Sequence, residues 1–199
     1  MQNEVALHYD KLIEESNDPV KDPPMLQSYM DQWDGQVFID KMGLSAEKSV
    51  LEIGVGTGRI AVRVAPLCKD FTGIDLSPKT VDRAKEHLAS FENVTLICAN
   101  FLSYSFKKSF DVIYSSLTFM HFSDKEQVIE KIRHLLYLNG RFVLSIDKNQ
   151  DRFIDMGTRK IAVYPDDPNH IKQILQNMKF RIVETIETEH AFLFIADKT

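Results

Sequence analysis

At 199 residues, with 44% hydrophobic and 27% charged side chains, the chain has the balance of a soluble globular protein and can bury a sizeable core. Its longest apolar runs, such as Ala191 to Ala196, fall short of the roughly 20 residues a membrane span needs, and Met1-Gln2-Asn3-Glu4 shows no secretory pattern, so no membrane association is expected. The net charge of −5, with only the short basic pairs Lys107-Lys108 and Arg159-Lys160, disfavours a nucleic-acid partner. Cys68 and Cys98 are far apart and outside metal-ligand spacing; they read as reduced core thiols in a cytoplasmic protein.

Residues 1–45 read as helical, interrupted where Pro19, Pro23 and Pro24 forbid a continuous helix. From Ser49 the pattern changes. Val50 to Ile53 is a short buried strand ending in glycines, followed by a helical stretch from Arg59 to Pro66. Phe71 to Asp75 is a second strand. Ser77 then caps a helix running to about Ser90, with Pro78 at the first helical position, where a missing N–H costs nothing. Val94 to Ala99, Phe110 to Ser115 and Arg141 to Ile146 are further strands. Between the last two, a helix is expected from Asp124 to Leu138, stopped by Asn139-Gly140. A late helix, His170 to Lys179, precedes two β-rich runs, Phe180 to Thr188 and Ala191 to Asp197, that read as a hairpin. Alternating strands and helices of this length indicate βαβ units and a mostly parallel sheet. With no dividing linker in sight, one domain is expected: a helical cover over residues 1–45 and an α/β core over 46–199.

The sharpest local signal is Glu52-Ile53-Gly54-Val55-Gly56-Thr57-Gly58, which joins a strand to a helix. Glycines there allow a tight turn and let a ligand lie against bare backbone, beside the free N–H groups of a helix start. The same glycines also suit a strand–helix turn that holds nothing. Asp75 ends the next strand, where a carboxylate in such folds accepts hydrogen bonds from ribose hydroxyls, although it can equally cap the helix beside Ser77. A dinucleotide fingerprint needs glycine where Arg59 stands, so that ligand fits poorly.

Glu52-x-Gly54-x-Gly56-x-Gly58 resembles the first motif of class I S-adenosylmethionine-dependent methyltransferases. Gly73-Ile74-Asp75-Leu76-Ser77 resembles that family's ribose-binding segment. Phe110 to Ser116 resembles its fourth strand, and Leu138 to Phe142 the turn into its fifth. The resemblance covers about residues 45–199. It implies a Rossmann-like fold, a seven-stranded mostly parallel sheet with one antiparallel strand and helices on both faces. It also implies S-adenosylmethionine as cofactor. By the resemblance, Gly54 and Gly56 pass under the methionine part, with Glu52 acting through the turn or the amino group and Gly58 completing the motif. Asp75 holds the ribose and Leu76 packs on adenine. Asn100, in Ala99-Asn100-Phe101, stands where the family often has an acidic residue at the adenine amino group, with Phe101 beside it. Ser115 lies where backbone groups meet the methionine part.

A sulfonium is already an activated methyl donor, so orientation of the acceptor supplies most of the catalysis, a term worth roughly 7–11 kcal/mol. His121, after the fourth strand on the ligand side of the sheet, is the candidate general base; it could equally pack or cap the following helix. Tyr9 is a candidate acceptor contact. For Tyr9 and for His8 beside it, a surface or packing role is the alternative to substrate contact, and Trp33 is expected to anchor the cover. The acidic positions of metal-dependent relatives hold Ser115-Ser116 and Asp147-Lys148-Asn149 here, so no metal is expected, and Asp167-Pro168 reads as a helix start. A small-molecule acceptor is the leading expectation. A protein or RNA acceptor and a cofactor-binding module without transfer are the alternatives.

Overall fold

The computed structural model describes residues 2–199, with side chains from residue 4 onward. Three helices come first: α1 (Gln2–Glu14), α2 (Pro24–Asp34) and α3 (Gln36–Lys41). The proline-rich break falls between α1 and α2, and Pro24 opens α2 as its first residue. The core follows as β1 (Ser49–Ile53), α4 (Ala61–Val64), β2 (Asp70–Asp75), α5 (Pro78–Leu88), β3 (Val94–Cys98), β4 (Phe110–Ser116), α6 (Lys125–Leu135) and β5 (Leu136–Asp147). It ends with β6 (Phe153–Asp155), β7 (Lys160–Ala162), α7 (Pro168–Asn177), β8 (Phe180–Glu187) and β9 (Ala191–Lys198).

The described residues form a seven-stranded sheet in the order β3-β2-β1-β4-β5-β9-β8, in which β9 runs against the other strands. The two-residue period of each strand divides the core. Leu51, Ile113, Phe142, Leu144 and Phe194 face α6 and α7, whose Ile129, Ile132, Ile171 and Ile174 cover them. Val50, Val112, Tyr114, Val143 and Ile195 face the other way, toward Phe38 of α3, Val64 of α4 and Leu88 of α5. Each such aliphatic or aromatic side chain, fully buried, contributes about 1.5–3 kcal/mol. The helix starts are fixed by capping: Ser77 accepts from the Thr80 N–H at 3.2 Å, Asp124 from the Gln127 N–H at 2.9 Å and Asp167 from the His170 N–H at 2.7 Å. Among the described residues no helix is long and apolar enough to cross a membrane.

Four expectations need correction. The helix expected to reach Leu138 ends at Leu135, because buried Leu136 pairs with Phe110 as the first residue of β5. Asn139, at φ +62°, sits at the break in the β4–β5 register between Phe110 and Val112, so the residue that reads as a helix stop serves a bulge. The helix expected from Arg59 shrinks to α4 and a 3-10 turn, Ala65–Leu67. Cys68 is buried as expected, but Cys98 is exposed, since β3 is an edge strand whose flank no further strand covers. The β6–β7 hairpin was not expected at all; its three-residue strands are too short to show a period.

Candidate functional site

Beyond β1 the backbone folds over the end of β2. The N–H groups of Gly54 and Val55 both donate to the Ile74 carbonyl, at 2.8 and 3.2 Å. Two of the loop's glycines are needed for different reasons. Gly54 has φ +80°, and a Cβ there would run into the Thr118 side chain. Gly56 has φ +54°, and a Cβ there would meet nothing within 4 Å, so its bare backbone opens onto free space. Asp75 ties this loop to α5: its carboxylate accepts from the Gly56 N–H at 2.9 Å and from the Ser77 N–H at 2.9 Å. Burial raises the Asp75 carboxyl above the ordinary aspartate value, with the backbone hydrogen bonds opposing it.

Below the loop, Glu52 is 2% exposed and accepts from the Tyr114 hydroxyl at 2.8 Å. Burial lifts its carboxyl well above the usual glutamate range. Beside it, Arg59 donates at 2.6 Å to fully buried Asp34 at the end of α2, and Ser116 donates to the same carboxylate. The first helices are also fastened at α5, where Asp10 accepts from Ser77 Oγ at 2.6 Å and from the Lys79 N–H at 3.0 Å. Further on, Asp18 meets His87 Nε2 at 2.9 Å. Trp33 lies against His190 with ring centroids 4.2 Å apart, which holds α2 to the β8–β9 turn.

These elements enclose a cavity of about 520 Å³ at the carboxyl ends of β1, β2 and β4, where the strand order reverses. Its floor includes Glu52, Gly54, Gly56 and Asp75. Leu76, Asn100 and Phe101 form one side, and the Asn100 side-chain oxygen also accepts from the Ser103 N–H at 3.2 Å. Two residues of the expected set stand apart. Ser115 is fully buried inside the sheet, where its hydroxyl donates to the Ile53 carbonyl at 2.9 Å; its neighbour Ser116 lines the cavity instead. Gly58 faces helix packing, since a Cβ there would lie 3.5 Å from Leu88.

The roof comes from α1 and from the segment containing β6 and β7. Tyr9 Oη lies 2.8 Å from His121 Nε2, and the two rings meet edge to face with centroids 5.4 Å apart. Burial lowers the His121 imidazole to about 4 and raises the Tyr9 phenol. Next to them, Arg159 donates to His8 Nδ1 at 3.2 Å and pairs with Glu15 at 2.5 and 2.7 Å. The Tyr164 N–H donates to Met120 O at 2.7 Å, which fixes the segment after β7 against the turn carrying His121. Sequence reasoning missed Arg59, Thr118, Ile161 and Tyr164 as lining residues. Only Arg59, adjacent to the glycine loop, carried any signal.

Residues 50–140, which contain the glycine loop, Asp75, Asn100 and His121, match the family described as a methyltransferase domain. The fold is similar to that of a magnesium protoporphyrin IX methyltransferase from Synechocystis, crystallised with bound S-adenosylmethionine, which superposes with a TM-score of 0.74 over 100% of this chain and 97% of that one, at 16% identity. The family match takes in a little under half of this chain, and the likeness to the solved structure is one of fold. Among curated relatives, an uncharacterized methyltransferase of Schizosaccharomyces pombe is 32% identical over 130 residues, 58% of this chain and 43% of that protein. Malonyl-[acyl-carrier protein] O-methyltransferase 1 of Ilyobacter polytropus is 28% identical over 123 residues, 59% of this chain and 44% of that protein. The chain therefore spans less than half the length of these relatives. The cavity also passes a test of fit for the cofactor that such enzymes use. An amino-acid tail needs bare backbone at the turn and a sugar needs a carboxylate beside it; Gly56 opens onto free space, and Asp75 lines the same cavity.

Proposed function

We propose that this chain transfers the methyl group of S-adenosylmethionine to a small-molecule acceptor by in-line displacement. One observation carries the reading: bare backbone at Gly56 and the Asp75 carboxylate share a cavity at the switch point of the sheet, joined by a 2.9 Å hydrogen bond. In this assignment the Gly54–Gly56 loop bears the amino-acid part, and Asp75 accepts from the ribose hydroxyls. Leu76 and Phe101 flank the adenine, and Asn100 meets its amino group. Gly58 and Ser115 hold the loop from behind, and Glu52, on the cavity floor, acts through the turn or meets the amino group. His121 and Tyr9 face the acceptor side. S-adenosylmethionine supplies a methyl group already activated on a sulfonium. What the protein adds is alignment and exclusion of water, through α1 and the β6–β7 hairpin that roof the cavity.

Calorimetric titration with S-adenosylmethionine, S-adenosylhomocysteine and NAD tests this. Both sulfur compounds are expected to bind at one site and NAD not to bind. Tight NAD binding with neither sulfur compound bound overturns the assignment.

A further inference from the structure

The cavity lining includes apolar Val5, Met30 and Ile161 beside polar Thr118, Asp124 and Gln127. Its conspicuous polar feature is the Tyr9–His121 hydrogen bond of 2.8 Å. The second ring nitrogen of His121, Nδ1, is buried and has no hydrogen-bond partner among the described residues. Placing a proton on that ring would bury a cation with an unanswered N–H, which is costly. Burial accordingly lowers the imidazole, and burial together with the nearby Asp75 charge keeps the Tyr9 phenol protonated. The pair is therefore neutral and a poor proton acceptor. The basic groups around it are already engaged: Arg59 with Asp34 at 2.6 Å, Lys125 with Asp166 at 2.8 Å, and Arg159 with Glu15. Arg59 Nη1, 3.6 Å from Asp31, is buried without a hydrogen-bond partner among the described residues, but a guanidinium has no lone pair with which to take a proton from a phenol or a thiol.

Acceptor nucleophiles differ in what such a site asks of them. Phenols near 10, thiols near 8.5 and ammonium groups near 10.4 hold their protons at neutral pH, roughly by those reference values, whereas carboxylates do not. Resting on the methyl-transfer reading above, we propose that the acceptor is an apolar monocarboxylate, held by a neutral donor chain in which His121 Nε2–H donates to Tyr9 Oη and the Tyr9 hydroxyl donates to the carboxylate. In this arrangement Nδ1 carries a bare lone pair, less costly to bury than an unanswered N–H. The carboxylate oxygen forms its bond to the methyl carbon as the carbon–sulfur bond breaks, and that electron pair stays on sulfur. A negative and a positive charge cancel to give a methyl ester and a thioether. No proton is released, so no base is required. Tyr9 touches the acceptor; His121 is a positioning residue acting through it.

The test uses the full chain with decanoate and phenylacetate as probes, beside decanol, decanethiol, decylamine and phenol. Calorimetry on the S-adenosylhomocysteine complex is expected to show binding of a carboxylate probe. Tyr9→Phe should weaken that binding at least tenfold and leave S-adenosylhomocysteine affinity within twofold, with His121→Ala giving a smaller loss of the same kind. Turnover with labelled S-adenosylmethionine should yield a base-labile methyl ester and no proton release in weakly buffered solution. Failure of both carboxylates to bind or react, or base-stable methylation of another probe with one proton released per turnover, overturns the proposal while S-adenosylhomocysteine still binds. Failure of S-adenosylhomocysteine to bind overturns the methyl-transfer reading itself, and this proposal with it.

Discussion

Asp75→Asn separates the two roles of one carboxylate. In the protein it accepts the Gly56 and Ser77 N–H groups, both at 2.9 Å, and its remaining lone pairs face the cavity. Hydrogen bonds to a charged acceptor contribute about 1.5–3 kcal/mol each and neutral ones about 1 kcal/mol. An amide has one oxygen, so it can satisfy only one of the two backbone donors and turns its own N–H₂ toward the other. Leaving a donor unmet lowers stability by about 1–3 kcal/mol. For a bound nucleoside, two sugar hydroxyls exchange a charged partner for a neutral one, together about 1–4 kcal/mol, or about 5- to 700-fold in affinity at 1.4 kcal/mol per tenfold. Burial already opposes the charge, as the raised carboxyl shows, so the lower end is expected. Titration calorimetry with S-adenosylhomocysteine, beside a thermal melt of each protein, reads both effects. The pH dependence has opposite signs in the two measurements. A raised carboxyl favours the folded state at low pH and loses that contribution as pH rises through its folded value, whereas ligand affinity falls as acid protonates it. Should the variant bind S-adenosylhomocysteine within threefold of the parent yet melt lower, Asp75 merely braces the turn and the ribose assignment is wrong.

Other substitutions probe the frame around that corner. Glu52 has a carboxyl raised by burial, so the unfolded chain releases this proton first as pH climbs and stability falls across that interval; Glu52→Gln, which can keep the Tyr114 hydrogen bond, should flatten the stability–pH curve of the ligand-free protein on its alkaline side. Gly54→Ala combines a left-handed φ with a clash against Thr118 and should destabilise by about 2–4 kcal/mol in urea melts. Adding Thr118→Gly should recover the part due to the clash, and purely additive losses would contradict this geometry. Arg159→Ala removes the tie between the β6–β7 segment and both His8 and Glu15. Amide exchange in α1 should then speed several-fold while the midpoint of global unfolding changes little; unchanged exchange would mean that α1 is held elsewhere.

The fold was legible because its signals are redundant. Each parallel strand is a short apolar run, and Ser77-Pro78 and Asp167-Pro168 mark helix starts by chemistry that admits few alternatives. Asn139-Gly140 misled because a left-handed residue ends a helix and shapes a strand bulge with the same dihedral angles. The expected cofactor corner lay in local motifs, and most of its residues converge on one cavity; at Ser115 alternation along β4 turns the side chain into the sheet and that of Ser116 outward, a distinction the motif does not carry. The roof was not legible. Tyr9 and His121 are 112 positions apart, and Arg159 and His8 are 151 apart, so no window of sequence contains either pair.

The buried partnership of Arg59 with Asp34 sets a rule for anyone recombining such proteins. The family match begins at residue 50, so the first three helices are the natural segment to exchange when a new acceptor is wanted. A transplanted leader that lacks an acid at the position of Asp34 would strand a guanidinium in the interior beside the glycine loop, and one lacking Asp10 would leave the start of α5 unclasped. Chimeras should therefore be screened first for those two acids, and only afterwards for the shape of the pocket they bring.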